Sequence, residues 1–266
     1  MLNTKIIDQI FEESDSKYND FLDLFNNSYL SIQIIPLKIG VEIVRARHSQ
    51  PHKTFTEFKD FRYPPTSNGF SRIGTPGQIW FYGSEDYKTC LMEMLPFWMN
   101  DYELGSEIRV TFGWWQIREQ LNLLVFPDFS LKTEVSKQVK LNEYYSPEEQ
   151  HVWEQLDKYF YLPTNVQPAV YQLTSALVSS MLIRLDIDNT KIDGVLYPSA
   201  QRGERSNIAL TKDAVDKNHV LLNRTADGIF RKANKLNENG LPSYSGPFNT
   251  RSGNFNHQER TVTWME

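Results

Sequence analysis

The chain of 266 residues contains a single cysteine, Cys90, so no disulfide can form within it. Neighbouring cysteines and histidines at metal spacing are also missing: the five histidines form no HExxH-type pattern. There is no long hydrophobic run, and the longest resemble Leu121 to Phe126, far short of a membrane span. Asp8, Glu12 and Glu13 interrupt the start of the chain, which excludes a signal-peptide reading and leaves the cytoplasm as the simplest location. Positive charge is not in excess. The net charge of -5 argues against a broad nucleic-acid or membrane surface, though not against a local basic pocket. A Walker loop, a G-x-S-x-G elbow and a Rossmann glycine fingerprint are all lacking. Neither a hydrolase triad nor NAD held as a redox cofactor in that fold is supported.

What is present is an ordinary globular composition, 40% hydrophobic and 23% charged, with an aromatic fraction of 13% that suits a thick core or a flat-walled pocket. One large domain with additions is the expectation at this length. Residues 3 to 27 repeat apolar groups at helical spacing and predict one helix, or two joined near Ser14–Ser16. This extension, residues 1–40, either caps the core or docks a partner or a second copy in a homodimer. Val41 to Arg47 alternates as a half-buried strand, and residues 48 to 78 read as a long loop. Ile79 to Tyr82 is a strand; Ser84 is placed to cap the following helix, which Pro96 should stop. A strand follows over Glu107 to Trp115. Ser146-Pro-Glu-Glu149 is a capping box opening a helix, and Gln167 to Leu185 is the longest helical pattern. Short strands are expected at 193–197, 208–210 and 219–222. Beyond about residue 226 the polar, Asn-, Gly- and Ser-rich sequence predicts a loose tail. The irregular mixture of elements points to an α+β fold.

Three segments carry candidate chemistry. Arg45 and Arg47 lie in an otherwise apolar strand, where a buried guanidinium needs an anionic partner or ligand. A structural salt bridge or an outward-facing edge is the alternative. In Phe70-Ser-Arg-Ile-Gly-Thr-Pro-Gly77, the glycines permit sharp turns and Arg72 offers a planar fork for phosphate. Glu93 sits among Cys90, Leu91, Met92, Met94 and Leu95, either as an exposed helix residue or as a carboxylate put to use. Trp80 and Tyr82 are core residues or a ligand platform, and Cys90 is a small core residue. In the third segment, Ser199 follows Tyr-Pro at a strand end, and Gln201 to Asn207 adds Arg202 and Arg205.

Taken in order, these segments resemble the RES family, named for an Arg, a Glu and a Ser. Val44-Arg-Ala-Arg47 is similar to the family's arginine strand. Ser71 through Glu93 resembles its arginine, Pro-Gly turn, tyrosine strand and glutamate helix, and Asp193 to Ser199 through Asn207 its serine block. Two positions depart from many relatives: Gly74 replaces an Asn, and Ala200 a second serine. The resemblance covers roughly residues 41–225 as a catalytic domain with an ADP-ribosyltransferase-like mixed β core and flanking helices. It implies NAD as substrate, with no metal and no resident cofactor, inorganic phosphate as a co-substrate in some members, and an antitoxin protein as partner. Glu93 would then stabilise charge on the ribose, Arg45 and Arg72 would hold phosphate groups, Ser199 would bond substrate or acceptor, and Tyr82 would flank the nicotinamide. Arg47 and Asn207 join the substrate-binding set. Three functions fit: NAD phosphorolysis or hydrolysis, ADP-ribosylation of a protein, or a non-catalytic nucleotide-binding or scaffold role.

Overall fold

A computed structural model describes residues 2–3, 5–64, 68–101, 103–127, 144–162, 169–202, 205–236 and 242–265. Among these residues the chain forms seven helices and one ten-stranded mixed sheet, an α+β fold. The helices are α1 (Lys5–Glu13), α2 (Lys17–Asn26), α3 (Phe58–Arg62), α4 (Tyr87–Asp101), α5 (Pro147–Tyr161), α6 (Val170–Ile187) and α7 (Lys212–Asp216). The strands are β1 (Gln33–Leu37), β2 (Glu42–Ser49), β3 (Trp80–Ser84), β4 (Glu107–Ile117), β5 (Leu121–Val125), β6 (Gly194–Pro198), β7 (Ser206–Thr211), β8 (Val220–Leu236), β9 (Pro242–Asn256) and β10 (Thr261–Met265).

The strand order is β1-β5-β6-β7-β3-β2-β4-β8-β9-β10, with β5 and β6 parallel and every other neighbouring pair antiparallel. The sheet is really two halves. β3 and β2 meet at a single residue pair, Val44 with Ser84, whereas β2 pairs with β4 over its full length. Beyond that pair the two strands part. Gly83 makes the approach feasible: a Cβ there would stand 2.9 Å from the Val44 carbonyl oxygen, closer than side-chain atoms tolerate.

The first half packs its buried face on α5 and α6. The Ser146 capping box forms as expected, with Glu149 N donating to Ser146 Oγ at 3.3 Å and Ser146 N to Glu149 Oε2 at 3.0 Å. α5 then buries Val152, Trp153, Leu156, Tyr159 and Phe160, and α6 is enclosed on most sides. The N-terminal segment is two helices, broken at 14–16, and it lies on the core: Phe21 and Phe25 are fully buried, and Tyr18 donates to Ser179.

Several local expectations need correction. α4 continues through Pro96 to Asp101. A proline removes only one backbone donor, and a helix already anchored by buried Cys90 and Leu91 tolerates that loss. Ser84 does not cap α4; it ends β3, and Asp86 accepts from Thr89 N at 2.8 Å instead. β1 was not expected, and the loop at 48–78 contains α3. The largest correction is the C-terminal tail. β8 runs unbroken across residues 225 and 226, and β9 and β10 complete a meander. β10 even reaches back to residues 54–58: Val262 N donates to Thr56 O at 2.8 Å, and Trp264 Nε1 to Phe55 O at 2.9 Å.

These strands hold despite their polarity because ladder hydrogen bonds and a buried ion cluster do the work of apolar alternation. Asp227, fully buried, forms an ion pair with Arg109 Nη1 at 3.1 Å and accepts from Arg251 Nη2 at 2.6 Å. Removing it would take the buried counter-charge from both guanidinium groups. Asp227→Ala should therefore lower stability by about 3–5 kcal/mol, read as a shift in the urea midpoint. Gly83→Ala should cost about 1–3 kcal/mol by the same measurement, because backbone rather than a movable side chain stands in the way.

Candidate active site

A cavity of about 650 Å³ opens where β2 and β3 separate. Residues 45–48 of β2 form one wall, and residues 78–80 and 82–84 the other, with Phe70, Ser71, Arg72, Glu93, Tyr171, Tyr197 and Asn207 around them. Six of the seven expected site residues line it: Arg45, Arg47, Arg72, Tyr82, Glu93 and Asn207. Ser199 lies just behind, fully buried, and touches the cavity through Glu93.

Register explains the convergence. Asn207 pairs with Tyr197 on one side and Ser84 on the other, so the three form one row across β6, β7 and β3. α4 crosses this row. Glu93 Oε1 accepts from Ser199 Oγ at 2.5 Å and from Asn207 Nδ2 at 2.9 Å. Asn207 is itself fixed, because its Oδ1 accepts from Ser84 Oγ at 2.5 Å. Both donors fall on one carboxylate oxygen, and Oε2 makes no hydrogen bond among the described residues.

Arg45 spans the gap between the halves. Its Nη1 donates to the Tyr82 carbonyl at 2.8 Å, and its guanidinium carbon lies 5.4 Å from the Phe81 ring centroid. The residue is only 8% exposed, forms no salt bridge among the described residues, and leaves Nε without an acceptor. Burial pulls its pKa down to about 10. A buried cation of this kind fits an anionic ligand. Arg47 is more committed: its Nη1 donates to Asp60 O at 2.8 Å and its guanidinium lies over Phe55 at 4.6 Å. Arg72 is engaged as well. It donates to the Phe160 carbonyl, and at 3.4 Å to those of Tyr159 and Leu162, and lies 5.2 Å from the Tyr171 ring centroid. It thus closes the C-terminal end of α5 while lining the cavity.

The Tyr82 hydroxyl lies 2.7 Å from Ser71 Oγ, which also accepts from Gly74 N at 2.8 Å. Gly74 is favoured here by Trp80: an added Cβ would stand 2.7 Å from the indole Cδ1. Burial pushes Tyr82 up to about 12 and Tyr197 well above the ordinary tyrosine value. Cys90 is likewise raised to about 12 by burial and donates to Val44 O at 2.8 Å, an inert thiol at the seam. Among the described residues, no three His, Cys, Asp or Glu side chains stand together as metal ligands, and no helix is long and apolar enough to cross a membrane.

Sequence reasoning missed Tyr171, Tyr197 and Ser84 as parts of the site. Tyr197 lay inside the serine block without an assigned role, Ser84 was read as a helix cap, and Tyr171 looks like any residue of a long helix.

The arrangement is that of an enzyme crevice: a fixed carboxylate and a buried guanidinium with no carboxylate partner among the described residues share one cavity at a sheet split. The chain belongs to the RES domain family, whose family model matches residues 42–227, well over half its length. At the level of the family this is an NAD-acting enzyme. No curated protein matches the chain.

The raised tyrosines give a pH dependence of stability. Below pH 10, where unfolded tyrosine stays protonated, their contribution is fully present. Between 10 and about 12 the unfolded chain ionises before Tyr82 does, and the contribution is lost. Tyr82→Phe should flatten the fall of melting temperature with pH across that window.

Proposed function

We propose that the protein breaks the bond between ribose C1′ and the nicotinamide nitrogen of NAD, passing ADP-ribose to inorganic phosphate or water. The observation that carries this reading is the Glu93 carboxylate, held by Ser199 and Asn207 in a cavity that also contains the buried guanidinium of Arg45. As the bond breaks, its electron pair moves to the pyridinium nitrogen and nicotinamide leaves neutral. Positive, oxocarbenium-like charge builds on the ribose. Glu93 stabilises that charge, and its Oε2 takes a hydrogen bond from a ribose hydroxyl, as carboxylates do in glycoside cleavage. Ser199 and Asn207 keep the carboxylate from turning away. Arg45 supplies the positive charge for a phosphate group, either of the dinucleotide or of the incoming acceptor. Arg72 lends further positive potential from its place at the end of α5. The aromatic groups Tyr82 and Trp80 shield the ring side from water. The pyridinium ring is already cationic in the substrate and departs as neutral nicotinamide, so the proposed reaction does not depend on a metal. An activity that drains NAD needs restraint, and an inhibitory protein partner, an antitoxin, is part of this proposal.

The test is to incubate purified protein with NAD, with and without phosphate, and follow nicotinamide and the ribose product. Phosphate-dependent release would establish phosphorolysis, and release without phosphate hydrolysis. No release would overturn the reading, and labelling of a protein would redirect it to ADP-ribose transfer. Glu93→Gln keeps the shape and removes the charge; turnover should fall by about 10²–10³-fold. Near-intact turnover would remove Glu93 from the mechanism.

A further inference from the structure

Asp86 immediately precedes α4 and caps it, accepting from Thr89 N at 2.8 Å, and Glu93 lies on the helix seven residues further on, about two turns, so the two stand along one side. That side meets the loop after β6 at two points. Glu93 meets Ser199, and Asp86 meets Arg202: Arg202 Nη1 donates to Asp86 Oδ1 at 3.1 Å and Oδ2 at 3.3 Å, and to buried Thr89 Oγ1 at 3.1 Å. Arg205 Nε lies 3.7 Å from the same carboxylate. The loop is also tied to itself, with Arg205 N donating to Arg202 O and Ser199 N to Arg205 O, both at 2.8 Å. One further bond joins the two points. Arg202 N donates to Ser199 Oγ at 3.1 Å. Because that oxygen already accepts from the amide, its proton is directed to Glu93 Oε1.

We propose that Asp86 and Arg202 are positioning residues for the reaction described above, on which this inference rests. Their ion pair sets where the serine loop sits along α4. The Arg202 amide then sets the orientation of the Ser199 hydroxyl, and the hydroxyl sets Glu93. Neither Asp86 nor Arg202 lines the cavity, so they act on it through the residues they hold, Ser199 first among them.

Asp86→Asn separates this role from helix capping, since asparagine accepts from the Thr89 amide as well as aspartate does. The expected result is a kcat lowered about ten- to hundredfold with KM held within about twofold, the signature of misplaced chemistry rather than lost binding. Arg202→Gln should do the same, Arg202→Lys should restore part of the rate, and the double variant Asp86→Asn/Arg202→Gln should be no worse than either single. Unchanged kcat, additive losses, or a rise in KM alone would overturn the proposal. A second measurement does not depend on NAD: exchange of the Arg202 amide proton should quicken in Asp86→Asn, and unchanged protection would overturn the latch. A wild-type protein that releases no nicotinamide would defeat the proposed reaction, and amide exchange would still decide whether the latch exists.

Discussion

Everything at the site depends on two strands that touch once and then diverge. A continuous sheet would have filled the space between β2 and β3 with ladder hydrogen bonds. Within the sheet the halves meet at the Val44–Ser84 pair, with Phe81 packed on Trp115 beneath it, and past that pair the exposed strand edges become cavity walls. Arg45 replaces part of the missing ladder, reaching across to the Tyr82 carbonyl. A side chain thus takes over a backbone function, and its charge comes to lie largely buried in the crevice wall. The need to close a sheet and the need to hold an anion are met by the same guanidinium.

The same economy governs the carboxylate. A helix crossing a sheet normally offers apolar groups to it, and α4 does so through Cys90 and Leu91. At Glu93 it meets a row of short polar side chains, Asn207 and Ser84, with Ser199 at the neighbouring strand end. Each member of the row has its partner within the row. Charge at the centre is thereby fixed by neutral donors and not by an opposing cation, which leaves the field of Glu93 available to a ligand. The contrast with Asp227 is plain: there the carboxylate is spent between two arginines and serves only to hold strands together.

Much of this was legible in the sequence where one residue type announces one constraint. Arginine in an apolar strand, glutamate on an apolar helix and a serine after Tyr-Pro picked out residues that meet around one cavity, and the capping box at Ser146 located a helix end. What remained hidden was whatever depends on pairing between distant segments. Ser84 and Tyr197 enter the site only because β3, β7 and β6 lie side by side in one register. The C-terminal strands escaped notice for a related reason. Their stability comes from ladder partners in β4 and from the Asp227 cluster, and neither leaves a periodic apolar trace in residues 226 to 265. Arg72 shows the opposite limit: its identity suggested a phosphate ligand, and only the fold reveals the carbonyls of α5 as its partners.

The reach of β10 back to residues 54–58 has a consequence for the order in which the molecule can be completed. Thr56 receives its partner from Val262, and Phe55 from Trp264, about two hundred residues later in the chain. Contacts between segments so distant in sequence form slowly, because a long loop must close before they are made. Phe55 also lies against the Arg47 guanidinium, at 4.6 Å, so a β10 that frays loosens the segment behind one wall of the crevice.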